Sequence, residues 1–256
     1  MRLAIFSDVH GNPYACEAVL KDIAAQGKFD AVIAAGDLCL AGSHPAECAS
    51  MLSAGGVLAV YGNTEEYLKF PQRVPPDELH RNMWAELVPV IHWTNARLTP
   101  EQSSWLLNLP FNLRFSPTSR PQDDLVVVHA NPKNCELMLY PSYDEQTTLY
   151  GEIQQWDDDL EVNNVFSGFD AGTLVHGHLH TLGVRKWYNK ITAVNVAPVS
   201  MPAIDHDRRA RYSIFTWTDE TWQIERCAVD YDVEKELSAL RNCGMPGYQR
   251  FERAFL

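Results

Sequence analysis

The sequence predicts an α/β fold organised around a parallel sheet, and three stretches carry that prediction. The first is Leu3-Ala4-Ile5-Phe6, a run of buried-strand character that passes directly into Ser7-Asp8-Val9-His10-Gly11-Asn12. The second is Ala31-Val32-Ile33-Ala34-Ala35, which ends in Gly36-Asp37, and the third is Val57-Leu58-Ala59-Val60, which ends in Tyr61-Gly62-Asn63-Thr64-Glu65. Helical periodicity separates them, and right-handed crossovers place all three strand ends on one edge of the sheet. Open α/β sheets bind their ligands at that edge.

Each further element has its own signal. Pro13 to Gln26 carries Ala15, Ala18, Val19 and Ile23 at helical spacing, with Gly27 as the stop. A second helix runs from about His44 to Ala54 and leads through Gly55-Gly56 into the third strand. From Glu66 to Leu113 the pattern changes to helices and loops, with Pro71, Pro75 and Pro76 ahead of a helix over Leu79 to Val90. Thr99-Pro100-Glu101 then opens a helix that runs through Leu107 and stops at Pro110, with Thr99 as its cap. Trp84, Trp93 and Trp105 read as core, and the segment is expected to cover one side of the site.

Ser116 to Asp124 is polar, a loop before the strand Leu125-Val126-Val127-Val128, which ends in His129-Ala130-Asn131-Pro132. Residues 144 to 165 look helical, with Asp157-Asp158-Asp159 as a solvated face. Thr173-Leu174-Val175 runs into His176-Gly177-His178-Leu179-His180. Strands are expected at Ile191 to Val196, Arg211 to Trp217 and Thr221 to Val229, and an amphipathic helix at Val233 to Asn242.

Composition bounds the function. A chain of 256 residues with 46% hydrophobic content suits one large α/β domain or two small ones. The longest apolar runs fall far short of the roughly 20 residues of a membrane helix. The N-terminal strand, preceded by one Arg, lacks a signal-peptide cleavage pattern, so a cytoplasmic protein is expected. Six scattered cysteines without a C-x-x-C pair read as free thiols. A net charge of -12 argues against duplex nucleic acid as a partner, because affinity for it comes from Lys and Arg on phosphates.

Taken together, D-x-H at 8 to 10, G-D at 36 to 37, G-N at 62 to 63, His129 and G-H-x-H at 177 to 180 resemble the five blocks of the calcineurin-like metallophosphoesterases. The S-D-x-H-G-N opening, the G-D-L-x-x-x-G run at 36 to 42 and L-T-P-E at 98 to 101 are similar to the small bacterial and archaeal phosphoesterases. The resemblance implies a four-layer α/β/β/α sandwich as a single domain over 1–256, with 66–113 as a helical cover segment. It also implies two divalent metal ions. Asp8, His10 and His180 would hold the first, Asn63, His129 and His178 the second, and Asp37 would bridge them. The mixed oxygen and nitrogen donors suit Mn²⁺ first, with Fe or Zn²⁺ as alternatives.

Two divalent cations carry four positive charges, two carboxylates cancel two and a bridging hydroxide a third, so the centre stays positive within an acidic protein and attracts an anionic ester. The implied function is hydrolysis of a small phosphodiester or phosphomonoester, a nucleotide among the candidates. Metal identity, physiological substrate and oligomeric state stay open. Asn12 is a candidate phosphate contact, a turn-stabilising role being the alternative. Arg209 is a candidate phosphate clamp or a surface charge pair. His176 is expected to support the ligands from behind, His44, His80 and His206 to lie on the surface, and His92 is undecided.

Two departures stand out. The third block of the family reads G-N-H-D or G-N-H-E, where this chain has G-N-T-E. The family's histidine is thought to assist the leaving group, and Thr64 can donate a hydrogen bond but no proton at neutral pH. Relatives also carry N-P-G-S-V-G-x-P where this chain has N-V-A-P-V-S-M-P at 195 to 202, which leaves the substrate open. The competing reading is a catalytically weak metal-binding scaffold on the same fold, as in the retromer subunit.

Overall fold

The computed structural model describes residues 1–73, 78–196, 198–202 and 207–256; Pro75, Pro76, His206 and the His80 side chain lie outside the described parts. The chain alternates at first as expected: β1 (Arg2–Phe6), α1 (Pro13–Ala25), β2 (Ala31–Ala34), α2 (Pro45–Ala54) and β3 (Leu58–Ala59). β1, β2 and β3 are parallel, with Ile5 opposite Ile33 and Ile33 opposite Leu58. β3 is shorter than its four-residue apolar run, because it forms the edge of the sheet and Leu58 turns to solvent.

Three helices follow, α3 (Asn63–Lys69), α4 (Glu78–Asn95) and α5 (Pro100–Leu107). α4 runs past its expected end at Val90 and keeps Pro89 inside it. Proline removes a helical N–H and crowds the preceding turn, but Val90, Ile91 and Trp93 are buried against Leu68, Leu237 and Leu240, and that packing holds the helix. α5 begins as its cap predicts: the Thr99 hydroxyl accepts from Gln102 N at 3.3 Å and the Gln102 amide returns to Thr99 N at 2.8 Å.

The second half supplies β4 (Leu113–Phe115), β5 (Leu125–Val127), α6 (Tyr143–Tyr150), α7 (Leu160–Phe166), β6 (Thr173–His176), β7 (Leu182–Trp187), β8 (Ile191–Val196), β9 (Ala210–Thr218), β10 (Thr221–Val229), α8 (Val233–Asn242) and α9 (Tyr248–Glu252). β4 and β7 were not anticipated. The helix expected over 144 to 165 is two helices. Gly151, at φ 78°, ends α6, and the buried Gln146 amide accepts from Gln154 N and Gln155 N at 2.8 and 2.9 Å, turning the chain away. The acidic run between them is partly structural: Asp157 pairs with the buried Arg185 at 2.6 Å, and Asp159 caps α7.

Two mixed five-stranded sheets result, β10-β9-β1-β2-β3 and β4-β5-β6-β8-β7. Strand alternation sorts their side chains into layers. Leu3 and Ile5 face the gap between the sheets, where they meet Ile33, Leu125, Val127, Val175, Val194 and Phe215. Ala4 and Phe6 point the other way, onto Val19, Cys48, Leu52 and Leu106 of α1, α2 and α5. Val126 and Leu174 pack outward against Val162, Val165 and Phe166 of α7. The order is therefore helix, sheet, sheet, helix, as the resemblance implied. All six cysteines are free, and among the described residues no helix is long and apolar enough to cross a membrane.

α8 is tied to the loop after β2 by one buried carboxylate. Glu236 accepts from Ser43 N at 3.1 Å and Ser43 Oγ at 2.7 Å, and Ser43 Oγ lies 2.7 Å from His44 Nδ1. His44 is accordingly half-buried, its ring edge-on to Tyr14, rather than on the surface as expected. Burial pushes the Glu236 carboxyl up to about 7. A raised carboxylate favours the folded state below its unfolded value, and the benefit is lost as pH rises to about 7. The variant Glu236→Gln, whose amide can serve both Ser43 groups, is therefore expected to melt higher than the parent at pH 8 and level with it near pH 4.5, as read by thermal denaturation.

Candidate metal centre

The residues flagged at the strand ends meet along one edge of the two sheets. Their turns are held by backbone bonds between neighbouring strand ends: Asp8 N to Gly36 O at 3.1 Å, His10 N to Asp37 O at 2.9 Å and Gly177 N to His129 O at 2.8 Å. Asp8, His10, Asp37, His178 and His180 all adopt left-handed backbone, with φ between 48° and 69°. Such conformations cost about 1–3 kcal/mol each and cluster where a side chain must be aimed. Here they turn five side chains back into one site.

Four imidazoles are anchored from behind. The outer nitrogens of His10, His129, His178 and His180 lie 3.1, 2.8, 2.8 and 2.6 Å from the carbonyl oxygens of Leu40, Ala35, Glu136 and Met201. A carbonyl only accepts, so each outer nitrogen carries the proton and each inner one presents a lone pair. The inner nitrogens meet in pairs, His10 Nε2 with His180 Nε2 at 3.0 Å and His129 Nε2 with His178 Nδ1 at 3.1 Å. Facing lone pairs repel unless a cation is shared between them.

The carboxylates complete two clusters. Asp8, His10 and His180 form one and Asp37, His129 and His178 the other, each with its ligand atoms within 4.8 Å of one another. Asp8 Oδ2 accepts from His178 N, while Asp8 Oδ1 is buried without a hydrogen-bond partner, 3.3 Å from His180 Nε2. Asp37 faces both clusters, Oδ1 lying 3.3 Å from His129 Nε2 and Oδ2 3.7 Å from His10 Nε2. Asn63 Oδ1 joins the second cluster at 2.9 Å from His129 Nε2. An orphaned carboxylate oxygen and inward lone pairs fit divalent cations bound by nitrogen and oxygen.

Protonation follows the same geometry. Burial drives His178 down to about 4 and pushes His10 below its ordinary value, leaving both neutral at pH 7. At His129 and His180 burial acts in the same sense, but the carboxylates of Asp37 and Asp8 outweigh it and raise both. Burial likewise opposes charge on Asp8, and the surrounding imidazoles overcome it and hold the carboxyl well below its usual range. Protons and metal ions therefore compete for these nitrogens.

Glu65 is the residue that sequence reasoning passed over. It is buried, and its carboxylate accepts from Asp37 N, Leu38 N and Gly62 N at 2.9, 2.9 and 2.8 Å. One side chain thus locks the turn that carries Asp37 to the turn that carries Asn63. Its signal was present in G-N-T-E, but a Glu on a short helix gives no hint that it points inward. Thr64 sits beside it, donating from both N and Oγ1 to Asp37 Oδ1 at 3.0 Å. Gly62 is required by contact: a Cβ there would lie 2.2 Å from Asp37 Oδ1.

Asn12 is buried and caps α1, accepting from Ala15 N at 3.1 Å, while its amide donates to Ser200 Oγ at 3.1 Å. Arg209 is exposed and forms a two-point pair with Asp207, at 3.0 and 2.8 Å. His176 is buried beside Asn195 and Gly177, outside both clusters. His92 is exposed on α4. Within the departed segment, Val199 N and Ser200 N donate to Ser7 O and Asp8 O at 2.9 and 3.0 Å, and Met201 supplies the carbonyl behind His180.

Residues 1–231 match the model of the calcineurin-like phosphoesterase family. An uncharacterized protein of Methanocaldococcus jannaschii is 26% identical, with 99% of this chain and 97% of that protein aligned. A metallophosphoesterase crystal structure from Sphaerobacter thermophilus superposes with a TM-score of 0.67 at 22% identity, covering 100% of this chain and 99% of that one. A hypothetical protein from Pyrococcus horikoshii gives 0.74 at 14% identity over 99% and 97%.

The Glu65 clamp is testable by metal affinity. A glutamine keeps the shape but sets an NH₂ against at least one backbone N–H, so Glu65→Gln is expected to weaken Mn²⁺ binding about 10- to 100-fold, as outer-shell changes do. Isothermal titration calorimetry reads the affinity, and circular dichroism checks that the fold persists.

Proposed function

The chain belongs to the calcineurin-like phosphoesterase family, and from that premise we propose that it hydrolyses a small phosphodiester or phosphomonoester with a dinuclear metal centre. The observation that carries the reading is the pair of imidazole couples, with Asp37 reaching toward both. In this reading Asp8, His10 and His180 would hold one divalent cation and Asn63, His129 and His178 the second, with Asp37 available to both. Mn²⁺ is the first candidate, followed by Fe and Zn²⁺. Two such ions would supply positive charge for the anionic ester and lower the pKa of a water that could serve as nucleophile.

The chain's own groups set the stage for that attack. The carbonyls behind the imidazoles fix which nitrogen is free, and Glu65 fixes the spacing of Asp37 and Asn63. Thr64 spends its hydroxyl on Asp37 Oδ1, so it orients that carboxylate. It is not a neutral-pH acid for the leaving group. The Asn12 amide donates to Ser200 and Tyr231, so phosphate contact through it requires a partner to be given up, whereas Arg209 spends two of its five N–H donors on Asp207 and keeps three.

Metal-depleted protein reloaded with Mn²⁺ is expected to turn over bis-p-nitrophenyl phosphate, and Asp37→Asn to abolish that turnover. Alkyl esters of matched size are expected to react about 10²-fold or more slowly than the p-nitrophenyl ester, since no general acid aids departure of a poor leaving group. Equal rates on good and poor leaving groups would remove the assigned role of Thr64. Two bound metals without turnover would favour the scaffold reading, which Thr64 also motivates.

A further inference from the structure

A groove of about 400 Å³ lies beside the second cluster, walled by the rings of Tyr61, Phe70 and Phe111. No candidate ligand lines it, but two of its walls connect to that cluster through neighbouring residues. Along α3, Glu66 and Phe70 follow Asn63 at i+3 and i+7, which is one helix face, and both line the groove. At 1.5 Å per residue Phe70 stands about 10 Å along the axis from Asn63. On the other side Glu136 lines the groove, while its carbonyl accepts from His178 Nε2 at 2.8 Å.

The lining has a definite chemistry. Tyr61 and Phe111 are half-buried, their ring centroids 5.7 Å apart and tilted by 52°, and Phe70 is 46% exposed at the mouth. Arg73 is committed to Glu136 through two hydrogen bonds. Lys133 is exposed and, among the described residues, has no ion-pair partner, so it offsets the carboxylates of Glu66 and Glu136. The groove therefore offers aromatic faces in a charge-balanced lining, Arg73 and Lys133 against Glu66 and Glu136, reached along α3 from the candidate metal centre.

We propose that this groove receives the base of a nucleotide ester whose phosphate is held at the metal centre. The proposal rests on the hydrolase reading above. A sugar phosphate leaves the aromatic walls bare, and an aryl phosphate carries its ring next to phosphorus, too close to reach Phe70. A base set one ribose away meets both demands, and stacking on aromatic rings is worth about tenfold or more in affinity.

The test is inhibition of bis-p-nitrophenyl phosphate turnover by the Mn²⁺-loaded protein, comparing AMP with ribose 5-phosphate. AMP is expected to inhibit at about one-tenth the concentration or less. In Phe70→Ala, a truncation at an exposed position, that advantage is expected to fall to about threefold or less. Equal inhibition by the two compounds in the parent protein overturns the groove and leaves the hydrolase reading standing. Absence of turnover with two metals bound overturns the hydrolase reading instead. Equilibrium dialysis of AMP against ribose 5-phosphate on the loaded protein then decides the groove by the same ratio.

Discussion

The hydrogen bond from the outer nitrogen of each site histidine to a backbone carbonyl is the constraint on which the rest of the site depends. It settles which nitrogen keeps its proton, and so turns four imidazoles into four inward lone pairs. The four carbonyls come from separate places: the loop after β2, the end of that strand, the loop after β5 and the segment between β8 and β9. No single turn can form the centre. The whole edge of both sheets has to be assembled before the donors converge.

That convergence is held against local preference. Five metal-ligand candidates sit in left-handed backbone, a conformation that isolated Asp and His residues adopt only as a minority. The strain is sustained by bonds between turns, chief among them the three that Glu65 accepts, and by Val199 and Ser200, whose N–H groups hold the carbonyls of Ser7 and Asp8. A buried carboxylate with no charged partner is costly. Three backbone donors offset that cost and convert Glu65 into a fixed post between β2 and α3.

Replacing the family histidine by Thr64 changes the chemistry next to the centre without disturbing its frame. The hydroxyl points at Asp37, so this side chain stiffens a carboxylate. The adjoining α3 then directs Glu66 and Phe70 into an aromatic groove. Metal cluster, positioning helix and groove are successive stations along one element.

Much of this was legible in the sequence because strand ends announce themselves. Apolar runs that stop at Asp, Gly-Asp, Gly-Asn or His located the three parallel strands, the edge they share and the candidate ligands, since burial demands apolar residues and the turn that follows frees polar ones. The helix expected over 144–165 failed because the Gln146 turn is a buried amide bonding to residues eight and nine positions on, which periodicity cannot register. α4 outran its proline because packing on α8 outweighs local propensity. Residue order by itself determined the fold class and singled out the candidate donors. Only the tertiary structure decided which imidazole nitrogens face inward, that Glu65 is a clamp and that Asn12 and Arg209 have partners of their own. Those outcomes turn on which distant carbonyl, amide or carboxylate arrives within 3 Å, and a linear pattern carries no record of that distance.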